Sequence, residues 1–186
     1  MAFNSNDTSN SKPGPTTDPR INPSAILNSR FTTSSRVVVV GIYRLPGSGK
    51  TFLLDQLRHE LGKELFEFYD GSEIIANVSP GGREAFQRLE EGEKVQWRQL
   101  AIDTIRNKCA NSRRVAVVAG HFIFWPEEEE AGKPVYTQND LETFTHVLYL
   151  DIPVEIVLQR RQGDTTRDRP STSLTYLGKW QQAEKT

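Results

Sequence analysis

The 186-residue chain carries a single cysteine, Cys109, and a single methionine. One cysteine excludes an internal disulfide and any cysteine-built metal cluster. Near the end of a helical pattern it is expected to be a small buried hydrophobe. Net charge is also nearly lacking, with 23 Lys and Arg against 24 Asp and Glu. That balance argues against a nucleic-acid binder that works through a broad basic surface. No apolar run approaches the roughly 20 residues a membrane helix needs. The start of the chain lacks the apolar core of a secretory signal, so the expected compartment is the cytoplasm. Arg20, Arg30 and Arg36 among abundant Ser and Thr leave a mitochondrial transit segment as the alternative. Asp7, Asp18 and the want of an amphipathic pattern count against it.

Apolar residues are sparse over residues 1–35, where 22 positions are Ser, Thr, Asn, Pro or Gly. Such a segment cannot bury enough surface to offset the cost of ordering it, and it is expected to be a disordered tail. Residues 36–186 form the expected domain. Val37–Tyr43 is a β-branched run that suits a strand covered on both faces. Leu53, Leu54, Leu57 and Leu61 fall at helical spacing within Lys50–Leu61, and Gly62 can end that helix. Further strands are predicted at 65–69, 114–120 and 146–151. Between the second and third, Trp97, Leu100, Ala101, Thr104 and Ile105 mark one face of a helix. Pro153 opens a helix over Val154–Gln162, where its missing N–H does no harm. "EEEE" (127–130) reads as a solvated acidic loop. Strands alternating with helices predict an α/β fold with a parallel sheet.

The stretch most laden with chemistry is "RVVVVGIYRLPGSGKT", Arg36 to Thr51. A buried strand runs into Pro46, Gly47, Ser48, Gly49, Lys50 and Thr51, and an amphipathic helix follows. Glycines let the backbone approach phosphate oxygens without a Cβ clash. The helix start offers unpaired N–H groups and a positive dipole end to an anion. Lys50 would reach the outer phosphates and the Thr51 hydroxyl would join a Mg²⁺ shell. The bland alternative is a glycine-rich turn with no ligand. One residue departs from the phosphate-loop (Walker A) pattern G-x-x-x-x-G-K-[ST]: its first glycine is replaced by Arg44. Two outcomes stay open. The Arg44 side chain turns away from the loop and is tolerated, or it crowds the phosphates and weakens binding.

With these residues in view, the chain resembles the small P-loop kinases of the adenylate-kinase-like group. That group includes gluconate, shikimate and adenylylsulfate kinases and the kinase domain of polynucleotide kinases. The resemblance spans roughly residues 36–184 and is carried by "LPGSGKT", "FYDGSEII", "VAVVAGHF" and "LYLDIPVEIVLQRRQGDTTRDRP". It implies a P-loop NTPase three-layer sandwich, ATP with Mg²⁺ as phosphoryl donor, and a small-molecule or nucleotide acceptor. It implies roles as well: Lys50, Asp70, Arg160 and Arg167 as the catalytic set, with Arg160 and Arg161 ending a helix and Arg167 and Arg169 in a lid. Pro46 to Thr51, Arg161 and Arg169 would hold the nucleotide, and Thr51 and Asp70 the metal. Glu73 stands second to Asp70. The kinases of this group continue to a fifth strand, whereas "STSLTYLGKWQQAEKT" supplies only one more helix. The sheet is therefore expected to lack its final strand.

The chemistry of the residues supports the lid and the acid independently. Guanidinium groups closing over a transferring phosphoryl group stabilise its spreading charge, and four arginines lie within residues 160–169. Asp70 ends a strand and would face the same crevice as Lys50; it is equally placed to cap the next helix, as "DGSE" invites. The third strand ends "AGH" without an aspartate, so His121 stands at the catalytic edge, with a structural role as the alternative. His59 and His146 read as structural, Arg83 as an exposed loop arginine, and Trp97, Trp125 and Trp180 as core or flank. Three functions follow: ATP-dependent phosphoryl transfer, a non-catalytic nucleotide-binding module, which Arg44 and the short sheet favour, and a 5′-polynucleotide kinase, which the balanced charge disfavours. The acceptor-recognising residues are expected between 71 and 113, where no motif is specific.

Overall fold

The computed structural model describes residues 37–165 and 172–186, all within one unit, Val37–Thr186. The tail expected over residues 1–35 lies outside the described residues, as do Arg167 and Arg169. Strand β1 (Val39–Tyr43) takes up most of the β-branched run, whose stiff side chains fit a pleated, covered surface. It lies between β3 (Val115–Gly120) and β6 (His146–Tyr149), and β2 (Phe66–Asp70) flanks β3. All these pairings are parallel, in the order β2-β3-β1-β6, with Val40 opposite both Val117 and His146. The four strands expected from the sequence thus form one sheet.

Successive side chains on a strand point to opposite faces, and here both faces are covered. On one face Val39, Tyr69, Ala116 and Val118 pack against Ile102, Ile105 and Cys109 of α4 (Glu91–Ser112). On the other, Ile42, Val117 and Ala119 pack against Leu54 of α1 (Lys50–Leu61). This is the α/β P-loop NTPase architecture that the resemblance implies. Each large apolar side chain buried here contributes about 1.5–3 kcal/mol. No helix among the described residues is long and apolar enough to cross a membrane.

Two helix faces differ from their sequence expectation. Leu100 is 45 % exposed, and the covered stripe of α4 is Ala101, Ile102, Ile105 and Cys109. At 100° per residue, Leu100 is turned out of that stripe. Leu61 is likewise exposed, at the last position of α1 where the helix leaves the sheet. Cys109 is buried and free, as expected.

The segment between β3 and β6 is more structured than the sequence signalled. A short antiparallel hairpin, β4 (Ile123–Phe124) and β5 (Lys133–Pro134), brackets the acidic turn. Helix α5 (Gln138–Thr143) follows, opened by a capping box between Thr137 and Asp140. Between β2 and α4 lie α2 (Gly71–Val78) and α3 (Gly82–Arg88), neither of which contains a buried residue. Two helices close the described chain, α6 (Val154–Gly163) and α7 (Leu174–Lys185). Val157, Leu177 and Trp180 from them enclose Leu45, just after β1. The last helix is thereby packed onto the turn that leads into α1.

Candidate functional site

In open parallel sheets, ligands bind beyond the carboxyl ends of the strands, where the strand order reverses. Here that point is the end of β1, and the turn 44–49 occupies it. Gly47 and Gly49 both have φ of 92°, a left-handed conformation that side chains resist. A Cβ on Gly49 would also lie 2.9 Å from an Arg160 nitrogen. No side chain caps the start of α1, and its first turn holds no acid. The site therefore presents helix N–H groups with no competing carboxylate in that turn, which suits an anion.

Lys50 is folded over the loop it ends. Its ammonium donates to the Arg44 carbonyl at 2.5 Å and the Leu45 carbonyl at 3.2 Å, and lies 3.3 Å from His121 Nδ1. The same ring nitrogen is 3.0 Å from the Arg44 carbonyl. Protonated, it donates there; bare, it accepts from Lys50. His121 is thus seated beside Lys50 at the edge of the site.

Of the two courses left open by the sequence, the Arg44 side chain takes the outward direction of the first. Its backbone has no positive φ, and its side chain turns out of the loop to be fully buried. The guanidinium donates to the Tyr149 hydroxyl at 2.5 Å and to the Ile152 carbonyl, and its carbon stands 5.2 Å from the centre of the Tyr149 ring. Burial raises the Tyr149 phenol above its usual range, while the hydrogen bond from Arg44 pulls it down. The loop closes on Lys50 with Arg44 in place.

Asp70 serves two neighbours at once. Oδ1 accepts from the Ser72 N–H at 2.9 Å and the Ser72 hydroxyl at 2.6 Å, capping α2. Oδ2 accepts from the Thr51 hydroxyl at 3.1 Å. Capping and facing the loop were alternatives in the sequence; a carboxylate has oxygens enough for both. Gly71 makes this corner possible, since a Cβ there would lie 2.9 Å from the Ala119 carbonyl of β3. Glu73 sits exposed in the first turn of α2.

Arg160 and Arg161 end α6, as expected. Arg160 donates to the Ser48 carbonyl at 2.5 Å; Arg161 donates to the Pro46 carbonyl at 3.3 Å and to the Thr172 hydroxyl at 2.7 Å. Both side chains reach the phosphate-loop backbone from across the chain. Arg83 is exposed on α3 rather than in a loop, 3.2 Å from the Ser72 hydroxyl. His59 and His146 are exposed, and Trp180 is buried. Among the described residues, no three His, Cys, Asp or Glu gather as a metal site. The Thr51 and Asp70 oxygens fit Mg²⁺, which favours one or two protein oxygens alongside phosphate and water.

Sequence reasoning missed Tyr149 and Glu184. Glu184, on α7, has both carboxylate oxygens buried, and the positive charges of Lys50 and Arg44 act on it. The one available signal was Arg44 itself, because a buried arginine calls for an anion.

A family model described as an AAA domain matches residues 43–177. The chain is similar to curated proteins named shikimate kinase. One, from Synechococcus elongatus, is 28 % identical over 143 residues, covering 74 % of this chain and 66 % of that protein. Another, from Nostoc sp., is 26 % identical over 121 residues, covering 65 % of this chain and 59 % of that protein. The matches thus span less than two thirds of these relatives' length. A solved structure titled "Crystal structure of APE1195" overlaps 81 % of this chain and 96 % of that one, with 20 % identity and a TM-score of 0.43.

Proposed function

The chain belongs to the AAA domain family, as a P-loop kinase-like domain, and we propose that it binds ATP with Mg²⁺ and transfers the terminal phosphoryl group to a hydroxyl of a small molecule. One observation carries the reading: the Lys50 ammonium is fixed at the loop centre, beside helix N–H groups, with Thr51 and Asp70 adjacent. Lys50 would hold the outer phosphates as a fixed positive charge. Pro46 to Gly49 would shape the backbone cradle around them. Thr51 and Asp70 would hold Mg²⁺, which when bound supplies positive charge against the phosphate oxygens.

The acceptor hydroxyl oxygen would bond to the γ-phosphorus as the bond to the β–γ bridging oxygen breaks. ADP leaves, and Asp70 orients the hydroxyl and takes its proton. Arg160, with Arg161, Arg167 and Arg169, would meet the charge that spreads over the phosphoryl oxygens. The names of the curated relatives favour a small hydroxylated acid as acceptor, recognised by residues between 71 and 113.

The test is ATP consumption and product formation with a panel of hydroxy acids (shikimate among them), sugars, nucleosides and nucleotides. ATP binding without turnover on any member would overturn the catalytic part; absence of ATP binding would overturn the whole. A second reading, a non-catalytic nucleotide-binding module, is favoured by Arg160 and Arg161 donating to the loop carbonyls of Ser48 and Pro46. It expects thermal stabilisation by ATP with no product.

A further inference from the structure

The phosphate loop of this chain carries two cations, Arg44 and Lys50, where its pattern provides one. A guanidinium with no exposed surface needs an anion nearby, or its burial is strongly unfavourable. The groups that bond Arg44, the Tyr149 hydroxyl and the Ile152 carbonyl, carry no charge. Glu184 supplies the negative charge from the last turn of α7, the helix that packs on Leu45 and whose Gln181 shares the Ile152 carbonyl with Arg44, and its carboxylate is felt by both Arg44 and Lys50. Its oxygens are shut off from solvent, and neither makes a hydrogen bond of normal geometry, although the Leu45 N–H and the Tyr149 hydroxyl adjoin them.

We propose that Glu184 is a positioning residue of the phosphate loop: it is the shared counter-ion of Arg44 and Lys50, and it competes with the phosphates of a bound nucleotide for the Lys50 ammonium. The proposal rests on the nucleotide-binding reading above. It makes the last helix part of the nucleotide site, although no residue of that helix belongs to the loop motif.

The charges around Glu184 set the sign of the effect. Arg44 comes from the turn after β1, Lys50 from the start of α1 and Tyr149 from β6. One step further out, Asp151 accepts from Lys185 of α7 at 2.7 Å, and His121 touches Lys50. Burial pushes the Glu184 carboxyl up to about 7, against the pull of Lys50, Arg44, the Leu45 N–H and Tyr149. Phosphates arriving at Lys50 add negative charge and raise it further. A proton is therefore taken up on binding when the free site holds the carboxylate. Nucleotide affinity falls as pH rises through the neutral range, by about tenfold for each unit by which the carboxyl is raised.

The experiment is calorimetric titration of the full chain and of Glu184→Gln with ATP and Mg²⁺, from about pH 6 to about pH 8.5, in two buffers of different ionisation enthalpy. Wild type is expected to lose about tenfold in affinity across that range and to take up protons. ATP entering a cationic site would by itself release protons, so the sign is diagnostic. Glu184→Gln mimics the protonated form; its affinity should vary less with pH and exceed that of wild type at the alkaline end. The nucleotide's own ionisation cancels between the two proteins. Equal pH profiles, or proton release by wild type, would overturn the inference while leaving nucleotide binding intact. Failure of wild type to bind ATP at any pH would overturn the nucleotide reading and this inference with it. If Glu184→Gln does not fold, as read by circular dichroism, a His121→Asn variant decides in its place: proton uptake retained without the neighbouring ring supports the inference, and its loss overturns it.

Discussion

The turn after β1 and the helix pair after β2 both sit at the carboxyl ends of strands, yet they are built in opposite ways. Within residues 44–50, Arg44, Leu45, Ser48 and Lys50 are buried, and Arg160, Arg161 and α7 brace the turn from outside. Helices α2 and α3, eight and seven residues long, bury none of their residues. A phosphate group is the same in every nucleotide, so the element that meets it gains from being fixed. An exposed helix pair can change its side chains with little loss of stability, which suits recognition of a variable partner.

Five substitutions would break or sharpen this contrast, from the largest expected effect to the smallest. Arg44→Gly restores the pattern's glycine but removes one of the two cations that Glu184 serves and empties the volume of a fully buried side chain; it is expected to cost about 3–5 kcal/mol in urea denaturation. A stabilised variant would mean that Arg44 is not held as described. Leu54→Ala, under the sheet on α1, should cost about 2–5 kcal/mol, against about 1 kcal/mol for the half-buried Ile75→Ala on α2. The reverse order would dissolve the contrast. Lys50→Ala should weaken ATP binding about a hundredfold by calorimetry. Retained affinity would remove the loop from the proposed site.

Asp70→Asn is the subtlest. Asparagine caps as well as aspartate, so stability should stay within about 0.5 kcal/mol. The Mg²⁺-dependent part of ATP affinity should fall about tenfold, since the charge facing Thr51 is gone. An unchanged Mg²⁺ dependence would leave Asp70 only its capping role.

The fold was largely legible because its signals are local. The run Val37–Tyr43 has the composition of a covered strand, Leu53, Leu54 and Leu57 have the spacing of a helix, and Gly47 and Gly49 occupy turn positions that need them. The candidate site was legible as far as it is contiguous, from Pro46 to Thr51, and the closeness of Asp70 to Thr51 follows from the strand order. What joins Arg44 to Tyr149 and Ile152 spans 105 and 108 residues of sequence, and no periodicity announces such a pairing. Leu100 misled for a related reason: spacing gives the existence of a helix face, whereas the helix's neighbours fix its rotation about the axis. Helix α5 is six residues long and rests on the capping box of Thr137 and Asp140, too short to show an apolar repeat.

The posture of Lys50 has a consequence for how much affinity a nucleotide can gain. A lysine side chain free in water samples many rotamers, and freezing it on a ligand costs up to about 2 kcal/mol in entropy. Here the ammonium is already tied to the carbonyls of Arg44 and Leu45, so that loss belongs to folding and not to binding. A phosphate arriving at the loop meets a charge that has already stopped moving, and more of its attraction survives as affinity.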